Sequence, residues 1–407
     1  MQTFIPDSIK NTPEGQEGDR ILRKCVHCGF CSATCPTYQL LGDELDGPRG
    51  RIYLIKNLLE GKSADSNTQR HLDRCLTCRA CETTCPSGVE YGHLLDIGRG
   101  ISEERILRSF KDRILRYGLG KIIPDRKWFS VLLKTGQFFR PLLPPKLAAS
   151  IPEKKHAQAW PSVRHRRKML ILEGCVQPAL MPSTNLATAR VLDALGITLV
   201  RVPEAGCCGA VNQHLAQTEA TMAHMKRNID AWWPLIEAGC EAIVITASGC
   251  GTMVKDYGYL LRNDPVYAEK AARISDLCRD LIEVIEKEDL SCLSLKPDQR
   301  KIVFQSPCSL QHGQKLGGRV EALLKQIGYA PSPVRDSHLC CGSAGTYSIL
   351  QSDIAEQLRD NKLKHLTADQ PDVILTANIG CQQFLQQKTA IPVLHWIELL
   401  ERNLKIS

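Results

Sequence analysis

Cys25-Val26-His27-Cys28-Gly29-Phe30-Cys31-Ser32-Ala33-Thr34-Cys35-Pro36 and Cys75-Leu76-Thr77-Cys78-Arg79-Ala80-Cys81-Glu82-Thr83-Thr84-Cys85-Pro86 are two ungapped copies of one pattern, C-x2-C-x2-C-x3-C-P. Three closely spaced thiolates grip one cubane cluster, and the fourth cysteine, beside its proline, turns toward the other cluster. The spacing predicts two [4Fe–4S] clusters with crossed ligation. Cys25, Cys28, Cys31 and Cys85 are the expected ligands of the first, and Cys75, Cys78, Cys81 and Cys35 of the second. A zinc site calls for two separated pairs of ligands, and a disulfide framework belongs to small secreted domains. Neither matches four cysteines packed into each short run.

Composition agrees. The 407 residues carry 19 cysteines, an odd number that argues against a fully paired disulfide scaffold. The N-terminus, Met1-Gln2-Thr3-Phe4-Ile5-Pro6-Asp7, lacks the basic start and apolar core of a secretory signal, so reduced cytoplasmic thiols are expected. No apolar run reaches the ~20 residues of a membrane span. The net charge of +8 is concentrated between Arg105 and Lys168. A solvated basic face, an anionic membrane surface or an acidic partner subunit would account for it; no recognition module points to nucleic acid.

Around the cysteine runs the chain reads as helical. Residues 1 to about 20, with Pro6, Pro13, Gly15 and Gly18, read as a loose arm. A helix is expected with Ile52, Ile55, Leu58 and Leu59 on one face, and another through Leu94, Leu95, Gly98 and Ile101. Arg49 and Arg51 are either countercharges to the clusters or an exposed helix start. Residues 102–167 form a basic, proline-containing stretch, with Pro141, Pro144, Pro145 and Pro152 interrupting any long helix. It reads as a packed connector; an amphipathic helix on a membrane surface is the alternative.

From Lys168 the pattern changes to short β-rich runs alternating with helices, the mark of α/β units on a parallel sheet, and it repeats. Strands are expected at Met169–Leu172, Thr198–Val202, Ala242–Thr246, Lys301–Gln305, near Val334, and at Asp372–Thr376. Cys175 and Cys207 are 32 residues apart, as are Cys308 and Cys340. Cys207-Cys208-Gly209 matches Cys340-Cys341-Gly342, and Asp280-Leu281-Ile282-Glu283 matches His395-Trp396-Ile397-Glu398. The fold expected is α+β and multidomain. A helical two-cluster domain (1–101) and the connector (102–167) precede two repeated α/β cysteine-rich subdomains (168–295 and 296–407).

In each copy the marked cysteines follow strands and precede helices, at the sheet edge where ligands bind. Cys175, Cys207, Cys208 and Cys250 are candidates for one further iron–sulfur site, and Cys308, Cys340, Cys341 and Cys381 for another. Buried or redox-active thiols without metal are the alternative. Cys240, Cys278 and Cys292 fit neither set and read as packing residues. His312 and His338, close to the second set, read as structural histidines; ligating a cluster or donating a hydrogen bond to it is the alternative. Gly342-Ser343-Ala344-Gly345 reads as a tight turn. No G-x-G-x-x-G follows a strand, so no flavin or NAD site is expected on this chain, nor any catalytic residue.

These motifs resemble a known architecture along nearly the whole chain. The doubled cysteine run is similar to the helical domain of respiratory iron–sulfur subunits, and the Cys-Cys-Gly copies are similar to the cysteine-rich domains of heterodisulfide reductase. Both occur in this order in the iron–sulfur subunits of glycolate oxidase and of anaerobic glycerol-3-phosphate dehydrogenase. Pro36–Arg51, Asp73–Cys78, Ile229–Pro234 and Asp336–Tyr347 resemble the bacterial glycolate oxidase family in particular. The resemblance implies electron transfer from flavin-containing glycolate oxidase subunits, which form glyoxylate, to membrane quinone or another acceptor. It also implies a peripheral position on the cytoplasmic face of the inner membrane. A glycerol-3-phosphate or lactate dehydrogenase subunit is the alternative, and a thiol–disulfide oxidoreductase a remoter one. The reductase family ends each cysteine-rich domain with C-x-x-C. Here Cys250 is followed by Gly251-Thr252-Met253, and Cys381 by Gln382-Gln383-Phe384, so a five-thiolate cluster and heterodisulfide reduction are not carried over.

Overall fold

The computed structural model describes residues 1–142, 144, 151, 159–293 and 295–404. Pro145 and Pro152, two of the expected helix breakers, lie outside the described residues.

The N-terminal unit is a helical cage. Helices Pro13–Lys24, Pro48–Leu59, Ser66–Asp73 and Tyr91–Arg105 close on Ile21, Leu22, Ile52, Ile55, Leu58, Leu59, Leu72, Leu94 and Leu95, all buried. Each fully buried aliphatic side chain contributes about 1.5–3 kcal/mol, so this small core suffices to fix the loops that carry the cysteines. The expected loose arm is largely helical. Asp7–Lys10 forms one turn, and Thr12 accepts from the Gly15 N–H to cap Pro13–Lys24, with Pro13 at its first position. Gly15 and Gly18 serve close packing instead of breaking the helix. A Cβ at Gly15 would lie 1.9 Å from the Ile9 carbonyl oxygen, and one at Gly18 2.7 Å from a Leu59 methyl.

The α/β part holds two parallel sheets. In the first, β1 (Arg167–Leu172), β2 (Ile197–Arg201), β3 (Ile243–Ile245) and β4 (Cys278–Asp280) lie in the order β2-β1-β3-β4. In the second, β5 (Ile302–Gln305), β6 (Val373–Thr376) and β7 (Val393–His395) lie in the order β5-β6-β7. The second matches the first strand for strand, except that the strand expected near Val334 is reduced to one parallel bridge, Ser332 to Val303. Pro331 and Pro333 flank it and remove the N–H groups a ladder needs.

The repeats share one core. Met169, Ile171 and Val244 of the first are buried in the same cluster as Phe304, Leu375 and Trp396 of the second. Helix Pro182–Ala194 packs on helix Trp396–Arg402, where Thr184 Oγ1 donates to Glu398 Oε1 at 2.6 Å. The matched tetrapeptides hold equivalent positions: Asp280 ends β4 and His395 ends β7, and each caps the next helix. In the first repeat the chain leaves β1 for β2 on one side and then crosses to β3 on the other. The crevice between the ends of β1 and β3 is therefore the topological switch point, and that between β5 and β6 is its counterpart.

The basic stretch forms two helices, Phe110–Ile122 and Arg126–Phe139. The first buries only Arg116 and Gly120, and the second buries no residue. The second helix meets the first repeat along one side, packing on helix Gln177–Leu180, with Arg126 Nε donating to the Gly174 carbonyl, and leaves its other side exposed.

Candidate iron–sulfur sites

Each cysteine run leaves the end of a helix and doubles back through left-handed residues. Cys25 caps helix Pro13–Lys24, and His27 (φ 56°) and Gly29 (φ 85°) follow. Cys75 follows helix Ser66–Asp73, and Thr77 (φ 54°) and Arg79 (φ 59°) occupy the same two steps. Non-glycine residues pay about 1–2 kcal/mol for this conformation. Its recurrence in both copies marks a backbone shaped to turn successive thiols inward.

Two pockets result. One is lined by Cys25, Cys28, Cys31 and Cys85, the other by Cys35, Cys75 and Cys78, and Cys81 lines both. Neither lining includes a carboxylate, and each includes an arginine. Burial, followed by the neighbouring Cys25, pushes the Cys31 thiol up to about 11, and burial pushes Cys78 and Cys81 well up. Four thiolates in such apolar walls need a polycationic centre among them, which is what an iron–sulfur core supplies. The donor set fits the group.

Arg51 is 1% exposed. Its Nε donates to the His71 carbonyl at 2.7 Å and its Nη1 to Thr37 Oγ1 at 3.1 Å, with Nη2 3.4 Å from Asp46 Oδ1. Asp46, fully enclosed, also meets His71 Nδ1 and Arg74 Nη1, both at 2.8 Å. Arg51 is thus a buried countercharge on the wall of the second pocket, whereas Arg49 is half-exposed and paired with Glu44 at 2.6 Å. The carboxylate end of this network was not legible as such. A signal for the arginine existed: Arg51 shares a helical face with Ile55 and Leu58.

The two other cysteine sets also converge. Cys175, Cys207, Cys208 and Cys250 lie close enough to perturb one another's thiols. The neighbouring Cys175 and Cys208 hold Cys207 well below the ordinary thiol range. In the second repeat Cys308 Sγ lies 3.7 Å from Cys340 Sγ, and Cys340 and Cys381 lie close enough to perturb the Cys341 thiol. The Gly209 N–H donates to Cys207 Sγ and the Gly342 N–H to Cys340 Sγ, each at 3.4 Å. Cys250 and Cys381 are each the third residue of helices Ser248–Lys255 and Ile379–Gln386, inside the first turn instead of in the expected strand-to-helix loop. Where the reductase pattern has a fifth cysteine, Met253 and Phe384 are buried apolar side chains.

The sets are contiguous. Cys78 packs in one cluster with Cys308, Cys340, Leu76 and Tyr347, and Thr83 Oγ1 meets His312 Nδ1 at 2.8 Å. The second set in turn adjoins the first. Ser248 Oγ lies 2.7 Å from Ser309 Oγ, the Gly249 N–H reaches Asn378 Oδ1 at 3.3 Å, and Cys250 packs with Ile379. His312 Nε2 also bonds the His338 carbonyl at 2.9 Å, so it is a structural bridge. Lys362, unremarked in the sequence, is buried beside the second set and donates to the Asp336 and Ser337 carbonyls. Cys278 is buried and Cys240 packs against the first repeat's core, but Cys292 is exposed and not a packing residue.

Residues 21–89 match the 4Fe-4S dicluster domain, and residues 169–255 and 302–386 each match the cysteine-rich domain. The glycolate oxidase iron–sulfur subunit of Escherichia coli K12 is 54% identical over the full length of both chains. This chain belongs to that family. The "Probable glycolate oxidase iron-sulfur subunit" of Bacillus subtilis 168 is 31% identical over 94% of this chain and 92% of its own. Lactate utilization protein A of Bacillus licheniformis is 27% identical over 57% of this chain and 98% of its own. Membership accounts for the order of one dicluster domain and two cysteine-rich domains, and for the presence of 4Fe-4S clusters in the chain. No described helix is long and apolar enough to cross a membrane.

Proposed function

We propose that this chain is the electron-transfer subunit of a glycolate-oxidising complex. It takes electrons from flavin-bearing partner subunits that form glyoxylate and passes them toward a membrane acceptor such as quinone. The observation that carries the reading is the continuity of the thiol sets from Cys25 to Cys250 through the packed interior. Cys25, Cys28, Cys31 and Cys85 hold one [4Fe–4S] cluster, and Cys75, Cys78, Cys81 and Cys35 the second. Such clusters, when bound, accept and release single electrons. The sets at Cys175, Cys207, Cys208 and Cys250 and at Cys308, Cys340, Cys341 and Cys381 hold further iron–sulfur, four donors each. The segments 1–101, 102–167, 168–295 and 296–407 are the working units.

The chain's own residues set direction. Val26, Cys28 and Phe30 are exposed at the first pocket, which makes that end the contact for the flavoprotein. Arg51 supplies positive charge behind the second pocket, and Tyr347, whose hydroxyl donates to the Arg74 carbonyl at 3.0 Å, locks the helical unit onto the second repeat. The complex lies on the cytoplasmic face of the inner membrane as a peripheral assembly. Glycolate is preferred to lactate because the glycolate oxidase relatives cover nearly all of this chain, whereas the lactate utilization relative covers just over half.

Anaerobic purification with iron and sulfide counts, followed by EPR on stepwise reduction, tests this. About sixteen irons per chain are expected if all four sets are filled, and about eight would restrict clusters to the N-terminal unit. A chain without iron refutes the carrier role. Reduction by the partner flavoprotein with lactate but not glycolate refutes the substrate.

A further inference from the structure

Much of the exposed apolar surface of the described residues lies in one stretch, from Leu107 to Leu142. Phe110 is 75% exposed, Trp128 64% and Phe138 77%. Helix Arg126–Phe139 is the extreme case. Half of its 14 residues are apolar or aromatic, yet none is buried. A helix of this length gains most of its stability from packing an apolar face; here Phe129 and Leu133 are half-buried on the side that meets helix Gln177–Leu180, while Trp128, Val131, Leu132, Phe138 and Phe139 stay exposed.

The exposed residues form stripes. Trp128, Val131, Leu132, Phe138 and Phe139 recur at helical spacing, with Lys127 and Lys134 beside them. On helix Phe110–Ile122, Phe110, Ile114 and Tyr117 form a second stripe running to Lys121, whose Nζ lies 5.8 Å from the Tyr117 ring centroid. Aromatic side chains bracketed by basic ones suit the lipid interface. The rings enter the acyl boundary while the cations stay among the headgroups.

Charge selects the kind of surface. From Arg105 to Leu142 there are ten Lys and Arg against two Asp and Glu, an excess equal to the +8 of the whole chain. The rest of the protein is electrically neutral. Arg126 then fixes where the pair sits: its Nε donates to the Gly174 carbonyl at 2.7 Å, next to Cys175, and its Nη1 lies 3.7 Å from Glu173.

We propose that helices Phe110–Ile122 and Arg126–Phe139 lie in the interface of an anionic bilayer and dock the first repeat, with its Cys175 set, against the membrane. The proposal rests on the peripheral membrane position given above and adds the surface that makes the contact. It assigns opposite ends of the thiol sequence to the two external contacts: the Cys28 end to the flavoprotein and the Cys175 end to the lipid.

The test is co-sedimentation of the full-length, cluster-loaded chain with phosphatidylcholine vesicles, with or without phosphatidylglycerol. Binding is expected only with the anionic lipid, weakening with salt. K121Q, K127Q and K134Q should each lower it about fivefold. Trp128 emission should shift to the blue on binding, a change missing in W128F. The triple variant F110S/W128S/F138S alters only exposed side chains, so it should retain iron content and thermal midpoint while losing binding more than a hundredfold. Failure of the loaded chain to bind anionic vesicles overturns the proposal, as does a triple variant that binds like the parent. Loss of flavoprotein association in the triple variant without loss of vesicle binding also overturns it, making the pair a subunit interface. Iron in the same preparation separates the two readings: a loaded chain that ignores vesicles refutes docking alone, and an iron-free chain that binds them refutes the carrier role alone.

Discussion

Replacing Arg51 with methionine separates two tasks performed by one side chain. The guanidinium is almost fully enclosed and bonds the His71 carbonyl, Thr37 Oγ1 and Asp46 Oδ1. Breaking a buried pair from one side costs about 3–5 kcal/mol, because the remaining charge is left without its partner. Asp46 still has His71 and Arg74, each at 2.8 Å, so the lower end, about 3 kcal/mol, is expected. The second effect is electrostatic. Arg51 lines the pocket formed by Cys35, Cys75, Cys78 and Cys81, where an added electron is favoured by a nearby positive charge. At an effective dielectric of about 20, unit charges roughly 8–16 Å apart interact by about 1–2 kcal/mol. For a one-electron couple that is about 45–90 mV, and its loss makes reduction harder, so the midpoint falls.

Thermal unfolding and an EPR-monitored redox titration read the two effects independently. R51K keeps the charge but loses the planar fork. It should lose about 2–3 kcal/mol of stability with a midpoint within about 20 mV of the parent. A folded, cluster-loaded R51M whose midpoint is unchanged or raised would refute the countercharge role and leave Arg51 a purely structural residue.

Cys78→Ser should remove about four irons per chain and leave the EPR signal of the other N-terminal cluster in place; loss of all iron would contradict two separately held clusters. Gly342→Ala should destabilise by about 2–4 kcal/mol. Its φ of 89° is strained for alanine and its Cβ would lie 2.4 Å from the Ala355 carbonyl oxygen. The equivalent Gly209→Ala, with its nearest neighbours at 3.4 Å, should lose only about 1–2 kcal/mol, and equal urea midpoints for the two variants would contradict this geometry. His395 donates from Nε2 to the Thr246 carbonyl at 2.9 Å and accepts from the Ile397 N–H at 3.2 Å, and burial lowers its pKa to about 4. The unfolded ring titrates near 6.5, so its contribution is complete above that pH and is lost as the pH falls from 6.5 toward 4. At pH 5 the loss is about 2 kcal/mol, measurable as pH dependence that His395→Gln lacks.

What the sequence disclosed follows from the range of the forces involved. The cysteine spacings are local chemistry, and the buried strands are short apolar runs, so both could be read directly. The arm was misread because Gly15 and Gly18 look like helix breakers, whereas their lack of a Cβ is used for contact with Ile9 and Leu59. The strand near Val334 failed for a local reason that was legible, the two prolines around Ser332. The Asp46–Arg51–His71–Arg74 network joins residues up to 28 positions apart, and no periodicity reports such a meeting. The exposure of helix Arg126–Phe139 was hidden for another reason. Its apolar stripe has the same period whether it faces a core or solvent, and the spacing does not say which side of the helix a neighbour covers.

The repeats are equivalent in topology but not in surroundings, and the difference lies where the reductase pattern has its fifth thiolate. Met253 is buried with its Cε 3.5 Å from the position a Gly209 Cβ would take, within the core cluster that also holds Cys208 and Met225. Phe384 is buried with Cys340 and Tyr347 and lies 4.9 Å under the Arg359 guanidinium. Each side chain fills that place with apolar packing, so each set consists of four thiols. The packing also differs by neighbour: Phe384 belongs to the wall shared with Cys78 of the helical unit, while the first set meets Arg126 of the exposed helical pair. Both repeats contact the helical unit, the first through Asp256 paired with Arg79 and Tyr259 stacked on His93, but it is the second whose thiol set shares a cluster with Cys78. Duplication of a single four-thiol scaffold thus yields two positions in a sequence, an inner one and an outer one.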